Sequence, residues 1–464
     1  MVESLEYRSD SERARMTPLE PCSSRWTVLV PALAVLGLAC AGYPARMESA
    51  LRDFERGHWD QAIAAYSDED EVDSAFLSGA EAGTVALAAG RWEEALTYFQ
   101  RAVDAAHDIE SRALIGPERL AEGLSSWALN DTARAYQGEG FERVYVHCGL
   151  AMSYLALGKV DDVYVETRLA NQLLETEEEL YETEYEAGGL GHFISAMTYE
   201  LIGQPDQAYI DYRRMEEKGA GTALAGRALV RLATELGRTE DLRLWEERFG
   251  PDLDRPSDAA NVVVLAGVGL GPFKVEGGLT LPLPDGFFQM AVPSYQLRPQ
   301  AVSGLRLVEC GTGDTVRTEL VEDVSKVARE NLEDRLGWMA AKSVARGILK
   351  RELTKQLEDE YDTAGRIAGE LFLLFSERAD VRCWLTLPDS WQACRLFVPP
   401  GVHRFALEAL GGETRELGTF ELEPGETMIV LARTIGPSLY PHVIGGLQIE
   451  TAPDQLPSPV IQEP

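Results

Sequence analysis

Two segments of this chain superimpose at a fixed offset. "GHWDQAIAAY" from Gly57 and "GRWEEALTYF" from Gly90 share Gly57/Gly90, Trp59/Trp92, Ala62/Ala95 and Tyr66/Phe99, each pair 33 residues apart. "GQPDQAYIDY" from Gly203 repeats the pattern with Ala208 and Tyr212. "GRTEDLRLWE" comes 34 residues later from Gly237, and "GKVDDVYVET" from Gly158 lies 68 residues beyond Gly90. A period of this length, with glycine ahead of a helical run, predicts a helix-pair unit. The small residue lets the two helices of a unit approach closely, and the aromatic four places later fills the groove against the next unit. One such unit cannot bury its own apolar face, so at least three must stack.

The unit resembles the tetratricopeptide repeat. The resemblance is good at Gly57, Gly90 and Gly203. At Gly158 and Gly237 the aromatic place holds Thr167 and Glu246, and the stretch from Ser111 to Gly140 fits no unit. Residues 40–250 are therefore expected to form an irregular tetratricopeptide-like solenoid. Arrays of this kind present a concave surface to peptides or partner proteins, or serve as a scaffold for the neighbouring domain. His147, within "FERVYVHCGLAMSYLALG", sits among apolar neighbours and reads as a hydrogen-bonded core residue.

Ahead of the array stands "RWTVLVPALAVLGLACAG", Arg25 to Gly42. Its apolar run, Trp26 to Ala39, is 14 residues long, whereas a spanning helix needs about 20. Pro31 interrupts a soluble core helix. A cation, an apolar run and then small residues is the order of a secretory signal. Glu3, Glu6, Asp10 and Glu12 spoil it upstream, which makes Met16 the expected start. "GLAC" resembles a bacterial lipobox, with Gly37 where leucine usually stands. Residues 1–39 are thus read as a removed signal and Cys40 as the lipidated residue. An ordinary signal peptide, leaving Cys40 a plain thiol and the protein soluble in the periplasm or secreted, is the alternative.

The chain carries 76 acidic against 43 basic residues, a formal net charge of −33. Such a field repels phosphate backbones, so no nucleic-acid partner is expected. It also opposes electrostatic adhesion to anionic lipid, leaving the N-terminal lipid as the membrane contact. No CxxC pair or zinc-finger spacing exists among the six cysteines, and no metal or cofactor is expected. Cys383 and Cys394 flank "WLTLPDSWQA". They read as a disulfide in an exported protein or as two buried thiols.

After "GPDLDRPSD" the periodicity changes to β-branched runs broken by Gly and Pro, which predicts an α+β domain over 259–434. Strands are expected at 287–293, 302–309, 314–319, 393–398, 402–409, 415–422 and 426–433, around one long helical segment from Val321 to Glu377. Residues 435–464 are expected as a Pro-rich, extended tail. "GVGLGPF" (Gly267–Phe273) reads as a β-turn, because Pro272 and the lack of a βαβ context argue against a dinucleotide loop. Arg382, Trp384 and Trp391 would form a partner-binding patch if exposed and ordinary core if buried.

The signal ending at Cys40, "GEGFERVYVHCGLAMSYLALGKVDD", "GLGPFKVEGGLTLPLP" and "ADVRCWLTLPDSWQACRL" together resemble a family of bacterial tetratricopeptide-type lipoproteins without assigned activity. That family is generally encoded near small outer-membrane lipoproteins similar to penicillin-binding-protein activators and curli-secretion components. The resemblance implies a lipid-anchored place in the cell envelope, at the outer membrane facing the periplasm, and envelope proteins as partners. The six histidines show no HExxH or similar spacing, and no serine stands in GxSxG. The expectation is a non-catalytic interaction scaffold acting through the repeat groove. Its rivals are an enzyme with a C-terminal cleft acting on envelope polymer, and a structural module assembling with itself.

Overall fold

The computed structural model describes residues 42–114, 135–181, 188–251, 258–283, 286–334 and 379–449. The signal segment and Cys40 lie outside them. The N-terminal part is helical and the C-terminal part is rich in sheet. No helix among the described residues is long and apolar enough to cross a membrane.

The helices are α1 (Tyr43–Arg46), α2 (Glu48–Glu55), α3 (Trp59–Ser67), α4 (Glu69–Val72), α5 (Ala75–Ala88), α6 (Trp92–Leu114), α7 (Gly140–Ala156), α8 (Val160–Tyr181), α9 (Gly189–Leu201), α10 (Pro205–Glu217), α11 (Thr222–Glu235) and α12 (Thr239–Phe249). Packing pairs α2 with α3, α5 with α6, α7 with α8, α9 with α10 and α11 with α12, and α6 also packs on α7.

One device closes all five pairs. The turn glycines Gly57, Gly90, Gly158, Gly203 and Gly237 have φ between +66° and +73°. Each glycine N–H bonds three residues back, to Phe54, Leu87, Leu155, Glu200 and Thr234. The residue after each (His58, Arg91, Lys159, Gln204, Arg238) bonds five back, to Asp53, Ala86, Tyr154, Tyr199 and Ala233. This is the Schellman C-cap, in which a left-handed residue satisfies the last helical carbonyls and glycine avoids the Cβ penalty. Arg91 then pairs with Asp60 of the preceding unit at 2.6 Å, and Arg238 with Asp206 at 2.8 Å.

The aromatic places pack as their spacing predicts. Ala62, Ala95 and Ala208 have no exposure, and Tyr66, Phe99 and Tyr212 are buried. Phe99 wedges between its own pair and the next, since a Cβ on either Gly83 of α5 or Gly149 of α7 would stand 2.7 Å from its ring. Thr167, in the aromatic place of the third pair, is also fully buried.

The strands are β1 (Ala260–Val268), β2 (Phe273–Leu283), β3 (Gly286–Gln296), β4 (Leu305–Glu309), β5 (Thr315–Arg317), β6 (Glu319–Asp323), β7 (Ser390–Val398), β8 (Gly401–Ala409), β9 (Thr414–Leu422), β10 (Thr427–Ile435), β11 (Ser438–Ile444) and β12 (Leu447–Gln448). One sheet has the order β11-β10-β1-β7-β6, a second β12-β9-β8-β4-β5, and β2 pairs with β3 alone. β1 runs parallel to β10, while its other neighbour β7 is antiparallel.

All nine residues of β1 are buried. Val262, Val264 and Ala266 join Leu307, Phe405 and Val430 in a core between the two sheets. Val263 and Leu265 join Leu431 in the core shared with the helices. The layers are therefore helices, first sheet, second sheet. A strand covered on both faces loses polar alternation, which accounts for the unbroken run "VVVLA".

Two expectations are corrected. Residues 319–323 are strand β6, and helix begins only at residue 324; the remainder of the expected long helix, 335–377, lies outside the described residues. The expected tail begins too early, because 438–444 and 447–448 are strands. Pro441 is accommodated because β11 is an edge strand of its sheet, where a missing N–H is tolerated. Of the two readings of Cys383 and Cys394, the structure shows two buried free thiols. They belong to the helix-facing core and the inter-sheet core respectively, on opposite faces of the first sheet.

Candidate functional site

One face of the helical part is covered by the chain's own first sheet and the loop leading into β7. Acidic side chains hold the two layers together. Glu81 of α5 is fully buried and accepts hydrogen bonds from the Leu385 and Thr386 amides, the Thr386 hydroxyl and the Tyr43 hydroxyl, at 2.6–3.1 Å. Glu142 of α7, also fully buried, accepts from the Trp384 amide at 2.8 Å and the Tyr136 hydroxyl at 2.6 Å. Burial pushes the Glu81 carboxyl up to about 7 against the pull of its donors, and pushes Glu142 up in the same sense.

From the sheet side, β6 reaches into two helix N-termini. Glu322 accepts from the Gly188 and Leu190 amides, and Glu319 from the Leu224 amide and Arg227. Unsatisfied amides at a helix start favour a carboxylate. Burial raises the Glu322 carboxyl to about 7. The fit is close: a Cβ on Gly189 would lie 2.1 Å from the Val321 carbonyl oxygen. Between these contacts, Arg395 of β7 pairs with Glu200 of α9 at 2.9 Å, and Arg231 shares the same carboxylate at 2.6 Å. Burial works to raise Glu200, but the two guanidinium groups outweigh it and hold the carboxyl below its ordinary value.

The edge strand β11 meets the first two turn glycines. A Cβ on Gly57 would stand 2.9 Å from the Tyr440 hydroxyl, and one on Gly90 2.6 Å from the His442 ring. Trp59 and Trp92 pack edge-on against these same two rings. The tryptophan shortly after each turn glycine therefore contacts the sheet.

Trp384 and Trp391 are 3% and 7% exposed, so neither forms an external patch. The Trp384 indole donates to Thr84 and Thr386, and Arg382 is buried against Asp380. This corrects the exposed alternative, because the array itself supplies the covering layer. His147 pairs with Glu166 at 2.7 Å, and His192 pairs with Asp211 at 2.8 Å in the corresponding place of the next unit. Among the described residues no cluster of three or more His, Cys, Asp or Glu could hold a metal ion.

The outer face is different. Val165, Ile210 and Leu244 are 50%, 45% and 55% exposed. Each is the seventh residue after its turn glycine, opposite the fifth and ninth places of the same helix, which are buried in the helices of Val165 and Ile210 and half-buried in that of Leu244. Leu169, one turn along from Val165, is exposed too. Three successive units thus carry a large aliphatic at one outward position. The repeat register contains this signal, on the helix face opposite the glycine, alanine and aromatic places that define the unit. The buried acids have a weaker signal: Glu81 is a lone charge in the apolar run "FLSGAEAGTVALAAG". Comparison of the chain with protein-family models and with curated proteins finds no match.

Proposed function

We propose that the protein is a non-catalytic interaction scaffold of the cell envelope, anchored by lipid at Cys40, whose tetratricopeptide-like array binds a partner protein through its outer face. The large aliphatic exposed at one register of three units, Val165, Ile210 and Leu244, carries this reading. Exposed large apolar residues are a feature of protein contact sites, and three units repeat one here at the same register. The helix face that packs on the first sheet is closed by the chain's own strands, which leaves the exposed face for a partner. The raised carboxyls Glu81, Glu142 and Glu322 are closed from water and bonded to backbone amides, which suits joining layers better than proton transfer to a substrate.

The partners implied by the family resemblance are small outer-membrane lipoproteins. The test is site-directed photocrosslinking from Val165, Ile210 and Leu244 in intact cells, compared with probes at exposed polar positions. A crosslinked envelope protein lost in the V165D/I210D/L244D variant would support the reading; equal yields from all probes would sink it. Metabolic fatty-acid labelling of wild type against Cys40→Ala tests the anchor separately.

A further inference from the structure

The second and third helix pairs do not close on one another everywhere. A cavity of about 140 Å³ lies between α6 and α7, bordered also by Phe76 of α5 and Leu173 of α8. Phe76, Val146 and Leu173 give it an apolar wall, and His107, Arg143 and His147 line it as well. Among the described residues no acidic side chain lines it. The whole chain has 76 acidic and 43 basic residues. Three basic side chains around one space, without an acid, therefore select an anion over a cation.

His147 is set into this wall by Glu166, which lies 2.7 Å from its Nδ1. A carboxylate on one imidazole nitrogen fixes the ring and leaves the other nitrogen for a ligand. The His147 Nε2 has no hydrogen-bond partner among the described residues, yet it is not closed from solvent. Its side chain is 15% exposed, so the ring that lines the cavity can be reached.

The next unit shows what makes the space. At the thirteenth, sixteenth and seventeenth places after the turn glycine, α6 has Val103, Ala106 and His107, whereas α8 has Asn171, Leu174 and Glu175. At the fifteenth place before the following turn glycine stands Arg143, and in the next unit Gly188. There Leu174 closes the equivalent position, since a Cβ on Gly188 would lie 2.4 Å from its Cδ2. Asn171 meets His192, the counterpart of His147, at 3.4 Å. Alanine in place of leucine thus leaves the room, and cations stand where the next unit has a glycine and a glutamate. Packing alone requires no such exchange of charge.

We propose that this cavity binds a monocarboxylate with a compact apolar body. An engineered apolar cavity of about 150 Å³ holds benzene, so the volume suits a body of about six carbons. The ligand's carboxylate takes the Arg143 guanidinium and the Nε2–H of doubly protonated His147, both charge-assisted contacts. Its apolar body lies on Phe76, Val146 and Leu173. A few polar groups at one end of an apolar pocket is the usual construction of a small-molecule site.

Benzoate titrated calorimetrically into the full chain at fixed ionic strength tests this. Saturable binding is expected, with benzyl alcohol, its neutral analogue, about tenfold weaker or more. Ala106→Leu installs the residue of the next unit and should abolish binding while leaving every charge in place. Arg143→Met keeps the stem, removes the charge and should weaken binding about tenfold or more. It decides the matter if Ala106→Leu does not fold. Absence of saturable benzoate binding would overturn the proposal. Unchanged affinity in either folded variant would also overturn it, by placing benzoate elsewhere, as would equal affinity for benzyl alcohol.

Discussion

Glu81 of α5 accepts the Leu385 and Thr386 amides at 2.6 Å and 3.0 Å across sequence separations of 304 and 305. A single carboxylate thus ties the second helix pair to the loop before β7. Removing it leaves two buried amides and the Thr386 hydroxyl without an acceptor, and each unmade bond costs about 1–3 kcal/mol. Glu81→Ala should destabilise the protein by several kcal/mol, roughly 3–5 on this principle. Chemical denaturation checks it; a loss below about 1 kcal/mol would show that the layers hold without this contact.

Stability should fall as pH rises towards neutrality. Glu81 and Glu322 are raised to about 7, and Glu142 is raised in the same direction. The folded form therefore binds protons more tightly than the unfolded one. Their contribution is full below about pH 4.5, declines between there and 7, and is gone above. Each of the first two carries on the order of 3 kcal/mol across that window. Glu200 is lowered and acts in the opposite sense, with stability lost only at more acidic pH. Melting temperature measured from pH 5 to 8 should decline in wild type and decline less in E81Q/E322Q. Parallel curves would refute the assignment.

The five turn glycines separate backbone strain from packing. Gly158 has φ +69° and open space at its Cβ position, whereas Gly90 has φ +73° and the His442 ring 2.6 Å away. Gly158→Ala should cost about 1 kcal/mol, the left-handed penalty alone. Gly90→Ala should cost distinctly more, about 2–3 kcal/mol, because the ring or the helix must move. Urea titrations of the two variants give the difference, and equal costs would mean that the sheet edge yields freely.

Glu200→Ala leaves Arg231 and Arg395 facing one another with their shared carboxylate gone. Breaking a buried pair in this way costs about 3–5 kcal/mol. The triple replacement of Glu200, Arg231 and Arg395 by apolar residues should recover much of that loss. A double-mutant cycle on Glu200 and Arg395 would report a coupling near zero if the contact were incidental.

Cys383 and Cys394 should alkylate completely in denaturant without reductant. Burial pushes both thiols up to about 12, so in the native protein neither should react appreciably with a thiolate-selective reagent. A mass difference of two protons between reduced and untreated protein would contradict the separation of the two thiols into different cores.

The helical pairs were legible because a glycine forced to positive φ and an aromatic wedge recur at a period that the sequence displays directly. Strand positions were legible where polarity alternates, as in β8 and β9. The failures occurred where one layer covers another. β11 carries a proline that an edge strand tolerates, and β6 has a pattern dictated by the helix ends it caps. Glu81, Glu142 and Glu322 look like surface charges until their long-range donors are located. The exposure of Trp384 and Trp391 depended on a covering layer that begins some 300 residues earlier in the chain. Local periodicity records what a segment does with its own neighbours; which face a distant layer will cover is not written there.

The parallel pairing of β1 with β10 has a consequence for the order of events during synthesis. β1 begins at Ala260, and the strand that completes its burial ends at Ile435. Contacts of such long sequence separation form late. A chain emerging N-terminus first completes its helical pairs while the strand that will lie against them still lacks a neighbour, and the inner face of the array stays open until nearly the whole polypeptide has appeared. Any companion that reaches that face does so in the interval before the chain closes over itself.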